Sequence, residues 1–179
     1  MPPAEGKHDA RPSDVRAGSL TGHAIIAGFG LAGRAAANAL LAKGIPICVI
    51  ERNIDTVRRC SIAGLCIFHG DATDEHLMRR AGIESAAFFA ATMPNDPAVL
   101  ESVALARRLN PSVKIFARCE YVSTGMKAER KGADAVVIAE KVVATEFGLL
   151  VENGAVVSSP ASAPPPPAPR EPSIVGDLP

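Results

Sequence analysis

The chain has 179 residues, of which 47% are hydrophobic and 21% charged, enough apolar material for one domain with a sizeable core. Its 19 Lys and Arg residues balance 19 Asp and Glu residues, which argues against a nucleic-acid binder, since such proteins carry a basic excess. No stretch approaches the ~18 apolar residues of a membrane span. The four cysteines show neither a C-x-x-C pair nor metal-ligand spacing with histidine. We therefore expect a reduced, cytoplasmic protein without a metal site.

Residues 1–20 are polar, rich in Pro, Gly and Asp, and show no periodicity, which predicts a disordered arm. From residue 21 to residue 154, short apolar runs alternate with longer helical stretches, which predicts one α/β domain. Strands are predicted at about 23–28, 46–51, 65–68, 86–90, 113–117 and 135–138, and helices at 31–43, 54–63, 74–81, 97–109, 123–131 and 140–152. Residues 155–179 contain the sequence Ala-Pro-Pro-Pro-Pro-Ala-Pro, which predicts a Pro-rich disordered tail.

The predicted strands are apolar without alternation, which is typical of a parallel sheet covered on both faces. Right-handed crossovers then predict a Rossmann-like, doubly wound α/β fold with six parallel strands in the order 3-2-1-4-5-6 and three α/β/α layers. Cys48 and Cys66 lie inside apolar runs and are expected to be small core residues. We also expect Thr73 to cap the third helix and Arg118 to end the fifth strand.

Three glycines follow the first predicted strand at the spacing G-x-G-x-x-G. Gly28 allows a sharp strand-to-helix turn, Gly30 lets the backbone approach a pyrophosphate, and Gly33 lets the helix pack closely on the strand. The N–H groups at the start of the helix then face the phosphates, and the helix dipole adds favourable charge. The predicted phosphate-binding loop comprises Gly28, Phe29, Gly30, Leu31, Ala32 and Gly33. The alternative interpretation is a glycine turn without a ligand.

The second predicted strand ends in Glu51, about 20 residues after the glycines. A carboxylate at this place accepts hydrogen bonds from both hydroxyls of an adenosine ribose and repels a 2′-phosphate by its charge. This favours NAD over NADP, although the neighbouring Arg52 leaves NADP open. Both Glu51 and Arg52 are therefore predicted cofactor-binding residues.

Several further stretches of the chain, together with the glycine loop, resemble the TrkA-N domain, also called the RCK domain (regulator of potassium conductance). They are the stretch HAIIAGFGLAGRAAANALLAKGIPICVIER, the turn Gly70-Asp71-Ala72-Thr73, and residues 95–98, 109–111, 115–118 and 131–134. The similarity covers about residues 23–153, and residues 117–121 are most similar to the cytosolic domains of Kef-type cation/proton antiporters. The resemblance implies a domain that binds NAD(H), AMP, ADP or ATP, regulates a potassium channel or transporter, and works as a dimer or an octameric ring.

In this family the positions of Asp71 and Ala72 line the adenine pocket, so the resemblance implies that role here. A turn-forming Asp71 that caps the next helix is the alternative. Thr92, just after the fourth predicted strand, either contacts ribose or phosphate with its hydroxyl or is an ordinary loop residue. Arg118 pairs with a phosphate, pairs with an acidic group across a dimer, or forms a structural ion pair.

The sequence departs from the family pattern at Leu31, where members that read the terminal phosphate of ATP often carry Arg. This departure favours NAD(H) or AMP/ADP over ATP as the ligand. The last predicted helix carries Val143, Phe147, Leu150 and Val151 along one face. The matching helix of the family often crosses onto a neighbouring subunit, which implies a homodimer or a higher ring. Packing on its own sheet is the alternative.

The resemblance implies a non-enzymatic, ligand-dependent dimer switch for a membrane cation channel, transporter or antiporter. It would act in the cytoplasm or as a peripheral protein at the inner membrane. We expect the nucleotide domain to be the whole protein, since neither terminal segment could form the second lobe of a dehydrogenase. A small NAD-dependent oxidoreductase is one alternative, but Lys127 lies six positions after Tyr121, not at the Y-x-x-x-K spacing of short-chain dehydrogenases. A stand-alone interaction module with a structural nucleotide is the other alternative.

Overall fold

Six parallel strands form one sheet with the order β3-β2-β1-β4-β5-β6 in the computed structural model, which describes residues 20–154. The strands are β1 Ala24–Ala27, β2 Ile47–Glu51, β3 Ile67–His69, β4 Phe88–Ala91, β5 Lys114–Cys119 and β6 Ala135–Ile138. The helices are α1 Leu31–Leu41, α2 Ile54–Ile62, α3 Glu75–Arg80, α4 Asp96–Leu109, α5 Val122–Arg130 and α6 Ala139–Glu152. The predicted fold class and strand order are confirmed. Residues 1–19 of the predicted arm and the predicted tail (155–179) lie outside the described residues.

Both faces of the central strands are packed, which explains why these strands are apolar without alternation. All four residues of β1 are buried. Ile25 points to one face and joins the larger core cluster, to which α3, α4 and α5 contribute. Ile26 points to the other face and packs among residues of α1 and α2. Helices on both sides therefore hold β1 at the centre, with the glycine turn at its carboxyl end.

The prediction that Thr73 caps the third helix is wrong. Asp74 is the N-cap residue of α3, and its carboxylate accepts hydrogen bonds from the backbone N–H groups of His76 (2.8 Å) and Leu77 (3.3 Å). The N–H and hydroxyl of Thr73 instead donate to one carboxylate oxygen of Asp71, at 3.0 and 2.9 Å. Because α3 begins one residue later than Thr73 would require, Asp74 and not Thr73 accepts the free N–H groups of the first helical turn.

The prediction that Arg118 ends the fifth strand is also wrong. β5 begins and ends later than expected, so Arg118 lies inside the strand. The N–H of Val113 bonds to the side chain of Asn110 (3.1 Å), which keeps Val113 in the preceding turn. At the other end, Cys119 pairs in register with Ile138, so the strand continues as far as β6 accompanies it.

The buried side chain of Asn110 joins three segments of backbone. Its amide nitrogen donates to the carbonyls of Ile83 (2.8 Å) and Ala86 (3.0 Å), and its oxygen accepts from the N–H groups of Ser112 (3.0 Å) and Val113 (3.1 Å). We expect Asn110→Ala to lower the free energy of unfolding by about 2–4 kcal/mol, since it leaves several buried backbone groups without partners. Urea denaturation measures this loss.

The matched control is Asn38→Ala, which removes an exposed asparagine from α1. We expect it to change the free energy of unfolding by less than about 0.5 kcal/mol. A loss at Asn110 no larger than that of the control would contradict the structural role assigned to Asn110.

Helix α6 does not pack across its own sheet, and none of its residues is buried. Val143 and Phe147 are 66% and 68% exposed. The sheet beside the helix is open as well: Phe116, in register with Ala90, and Val137 of β6 are 43% and 57% exposed. Helices α1 and α2 cover this face farther along the sheet. Within the described part of the chain, an apolar sheet face and an apolar helix are therefore left uncovered, and they are called here the open face and the free helix.

Candidate functional site

A cavity of about 820 Å³ lies at the carboxyl edge of the sheet, beside the adjacent strands β1 and β4. The strand order reverses between these two strands, since β2 and β3 follow on one side of β1 and β5 and β6 on the other side of β4. Such a switch point is the usual ligand crevice of a doubly wound sheet. The glycine turn after β1 and the ends of the four neighbouring strands line it. Of the predicted site residues, it is lined by Gly28, Phe29, Gly30, Leu31, Ala32, Glu51, Arg52, Asp71, Ala72, Thr92 and Arg118. Gly33 is buried beneath the turn and does not line the cavity.

Internal packing explains two of the three glycines. Gly28 has φ +88°, a conformation that favours glycine, and a Cβ there would lie 3.1 Å from the backbone nitrogen of Met93. At Gly33 a Cβ would lie 2.1 Å from the carbonyl oxygen of Gly28. These contacts make larger residues at both positions incompatible with the turn.

The third glycine, Gly30, has no such internal reason. Its φ is −73°, and apart from Gly30 and its two chain neighbours no atom of residues 20–154 lies within 4 Å of the place where its Cβ would stand. Gly30 is the N-cap residue of α1, has no side chain to cap the helix, and borders the cavity. A side chain at Gly30 would therefore occupy open space at the edge of the cavity, next to the helix N-terminus.

The N-terminus of α1 is electrostatically prepared for an anion. Its first turn carries no acidic residue, and the helix dipole places partial positive charge there. Three arginines and two carboxylates line the cavity, an excess of one positive charge: Arg34, Arg52, Arg118, Glu51 and Asp71. Arg34 was not among the predicted site residues, and its Nε donates to the carbonyl of Phe29 at 3.2 Å.

Glu51 joins the glycine turn to the end of β2. One of its carboxylate oxygens accepts the N–H of Phe29 (2.6 Å), and the other accepts the N–H of Asn53 (2.7 Å). These two bonds hold the carboxylate at the cavity wall. Each oxygen has a second lone pair, so the group can still accept hydrogen bonds from a ligand.

Arg52 and Asp71 face each other across the cavity mouth. The guanidinium Nη1 lies 3.5 Å from one carboxylate oxygen of Asp71, and the Arg52 side chain is 72% exposed. The other oxygen of Asp71 holds the turn with Thr73. Asp71 therefore forms a turn, as one of the two interpretations expected, but it does not cap the next helix, which Asp74 does. Asp71 also lines the cavity beside Ala72.

The hydroxyl of Thr92 lies within hydrogen-bonding distance of two backbone carbonyls, those of Ala27 (2.9 Å) and Gly28 (2.8 Å). A hydroxyl has one proton, so the two carbonyls share it. Thr92 thus fastens the end of β4 to the glycine turn, and what it can offer a ligand is a lone pair.

Arg118 forms an ion pair with Glu120, which is the structural pairing considered among the alternatives. Its Nη1 atom is buried and has no partner among the described residues, and the same holds for one carboxylate oxygen of Asp96 nearby. The other Asp96 oxygen accepts the N–H of Glu120 at 2.9 Å. Burial, assisted by the Asp96 charge, raises the pKa of the adjacent Cys119 thiol.

Sequence reasoning missed a group of residues that follow β4 or begin α2: Asn53, Thr56, Met93, Pro94, Asn95 and Ala98. A signal for the residues after β4 was present, because the loop after this strand faces the loop after β1 in the predicted strand order. Thr92 was the only residue of this loop among the predicted site residues.

None of the helices within residues 20–154 is long and apolar enough to cross a membrane.

A family model described as "TrkA-N domain" matches residues 24–139 of the chain. The crystal structure of the TrkA-N domain of the Escherichia coli inner membrane protein YbaL is similar, with a TM-score of 0.70 and 32% identity over 74% of this chain and 98% of that one. The glutathione-regulated potassium-efflux system protein KefC of Cronobacter sakazakii is 31% identical over 108 residues, 60% of this chain and 17% of KefC. K(+) efflux antiporter 2 of Arabidopsis thaliana is 30% identical over 70% of this chain and 11% of its own length.

Similar structures have been solved with nucleotides. GsuK bound to ADP has a TM-score of 0.64 and 28% identity, over 79% of this chain and 37% of that one. The GsuK channel bound to NAD and the Shewanella denitrificans Kef C-terminal domain bound to AMP share the fold at 21% and 24% identity, with TM-scores of 0.65 and 0.59.

This chain spans 11–24% of the length of the curated antiporters that it matches. The family match nevertheless covers most of the chain, from the first residue of β1 to the first residue of α6. The chain belongs to the TrkA-N domain family.

Proposed function

We propose that this chain is a regulatory domain that binds an adenine nucleotide, NAD(H) or AMP/ADP, and controls a membrane potassium channel, transporter or antiporter. The observation that carries the proposal is Gly30: no packing contact requires glycine there, but a phosphate over the N-terminus of α1 does. The nucleotides in the related GsuK and Kef structures support the same ligand class.

In the proposed complex, the phosphates lie over α1 and the ribose hydroxyls donate to Glu51. The adenine lies between Arg52 and the Asp71-Ala72 turn, and displacing the exposed Arg52–Asp71 pair costs little because surface ion pairs contribute only about 0–1 kcal/mol. The excess positive charge of the cavity suits a phosphate ligand.

The cavity extends past the glycine turn to Met93, Asn95 and Arg118 at the ends of β4 and β5. A mononucleotide bound to α1 and Glu51 would leave the part of the cavity at the ends of β4 and β5 empty. We therefore infer that a dinucleotide uses the site more fully than AMP does, with its second half beside Arg118, which lines the cavity. Titration calorimetry with NADH, NAD, AMP and ADP tests the proposal, and no heat of binding at millimolar ligand would refute it.

We infer a binding rather than a catalytic role. Both carboxylates of the cavity are already held, Glu51 by two N–H groups and Asp71 by Thr73 and Arg52. Groups fixed in this way suit recognition of a ligand. Sustained consumption of NADH with carbonyl substrates would contradict this inference.

We also propose that two copies of the chain form a dimer in which the free helix of each covers the open face of the other. Each surface is apolar, and both belong to one chain, so a twofold axis can bury both at once. The open face shares β5 with the nucleotide site: Phe116 belongs to the face, and Arg118, two residues on, lines the cavity. A ligand that moves Arg118 thus has a short route to the dimer contact, and a cytoplasmic dimer could convey this change to its membrane partner.

Phe147→Glu tests the dimer. Phe147 is 68% exposed on the free helix, so we expect the charged variant to stay folded but to be monomeric in sedimentation analysis, since a charge inside the contact remains without a partner. The matched control is Ile62→Glu on α2, which is 88% exposed outside both surfaces and should leave the dimer intact. A monomeric wild type, or dimers of equal strength in both variants, would contradict this arrangement.

A further inference from the structure

Two core cysteines lie sulfur to sulfur beneath the adenosine end of the candidate site. Cys48 of β2 and Cys66, which directly precedes β3, are 0% and 7% exposed, and their Sγ atoms are 3.2 Å apart. Val49 is in register with Ile67, so Cys48 and Cys66 face each other across the two strands. The N–H of Val49 donates to the carbonyl of Cys66 at 2.9 Å. Strand pairing, not a loop, therefore holds the two thiols together.

We propose that Cys48 and Cys66 are a redox modification site, which a small hydroperoxide converts to a disulfide, and that this disulfide weakens nucleotide binding. The effect on nucleotide binding, the second half of the proposal, rests on the proposed function. The formation of the disulfide, the first half, does not. Hydrogen peroxide oxidises the Cys66 thiol to a sulfenic acid and releases one water. The Cys48 sulfur then attacks the sulfenic sulfur, an S–S bond forms, and a second water leaves. The two thiols lose two protons and two electrons, and the peroxide is reduced to two waters.

The backbone can accommodate this bond. Neighbouring strands lie about 4.8 Å apart, inside the range of about 4.4–6.8 Å for the Cα atoms of a disulfide but below its usual 5.5–6 Å. The bond should therefore push β3 slightly outward. Among the described strands β3 is at the edge of the sheet and pairs with β2 alone, so a small outward shift breaks no second strand pairing.

Cys66 is the expected point of attack. It is the more exposed of the two, whereas Cys48 is fully buried, and its hydrogen bonding with Cys66 together with burial raises the pKa of the Cys48 thiol. Only a small oxidant reaches a side chain with so little exposure. This selects peroxide over bulky disulfides.

A shift of β3 reaches the nucleotide site directly. Glu51 lies three residues after Cys48, and Asp71 follows the end of β3. The N–H of Gly70 donates to the carbonyl of Glu51 at 3.0 Å, and Arg52 pairs with Asp71. Moving β3 away from β2 therefore separates the proposed ribose and adenine contacts.

The first test uses the full chain with Cys60→Ala. Trypsin places Cys48 in a peptide of residues 44–52 and Cys66 in a peptide of residues 60–79, which would also contain Cys60. After treatment with hydrogen peroxide, we expect a cross-linked pair of these peptides, lighter than their sum by two hydrogen atoms and separated by a dithiol. Failure to find it, or a cross-link to Cys119 in its place, overturns the proposal.

The second test measures NADH affinity by calorimetry before and after oxidation. We expect affinity to fall at least about fivefold in the oxidised protein and to return with a dithiol. Cys48→Ala and Cys66→Ala should each remove the response to peroxide, while Cys60→Ala retains it. Equal affinity in both states overturns the second half of the proposal. Absence of NADH binding even in the reduced protein overturns that half together with the proposed function, and it leaves the cross-link result standing.

Discussion

Gly30→Val is expected to weaken nucleotide binding by about 100-fold, which corresponds to about 2.7 kcal/mol of binding free energy. Apart from the two chain neighbours, no described atom lies within 4 Å of a Cβ at this position, so we expect the protein itself to accommodate the larger side chain. That side chain does occupy the open space next to the N-terminus of α1, where the phosphate of the proposed complex lies. The fold should lose only about 1 kcal/mol of stability, because valine is a poorer N-cap residue than glycine.

Calorimetry with NADH and AMP, combined with urea denaturation, separates the two effects. Ala39→Val is the matched control, since it places the same side chain at an exposed position of α1 away from the turn. Gly33→Ala is a contrast: its Cβ would lie 2.1 Å from the Gly28 carbonyl, so we expect the turn itself to be disrupted. Wild-type affinity in a folded Gly30→Val protein would leave the nucleotide proposal without its main support.

The strand order and the position of Glu51 could be predicted because both follow from local rules. Apolar runs separated by helices permit few topologies, and right-handed crossovers select one of them. Given that topology, a residue at the end of β2 must lie beside the glycine turn after β1. The structure accordingly has a carboxylate oxygen of Glu51 at 2.6 Å from the N–H of Phe29.

What the sequence could not reveal depends on side-chain competition and on strand register. Thr73 and Asp74 are both residue types that cap helices, and only the backbone conformation makes Asp74 the cap while Thr73 donates to Asp71. The ion pair of Arg118 with Glu120 depends on the length of β5, which continues to Cys119 because it pairs there with β6. No local sequence pattern predicts this strand end. Likewise, the sequence shows Cys48 and Cys66 only as cysteines within apolar runs. Their sulfur atoms are brought together by the register of β2 and β3, which the sequence does not reveal.

Glu51→Ala is expected to weaken NADH binding by at least about 30-fold. The proposed ribose contact is two hydrogen bonds to a charged acceptor, each worth about 1.5–3 kcal/mol, and part of this is regained from water in the variant. The same change should reverse the choice between NADH and NADPH. Removal of the carboxylate ends its repulsion of a 2′-phosphate, and Arg52, held only by an exposed pair with Asp71, can turn to that phosphate.

A loss of fold could imitate this result, because Glu51 also accepts the N–H groups of Phe29 and Asn53. The decisive measurement is therefore a difference between ligands. Wild type should bind AMP about tenfold more tightly than 2′-deoxy-AMP, because the deoxy sugar lacks one hydrogen bond to Glu51. Glu51→Ala should bind both equally. Glu129→Ala, which removes an exposed acid of α5 far along the chain, should keep the wild-type preference. If the variant at Glu51 still distinguishes the two sugars, the ribose lies elsewhere, because unfolding alone reduces both affinities by the same factor.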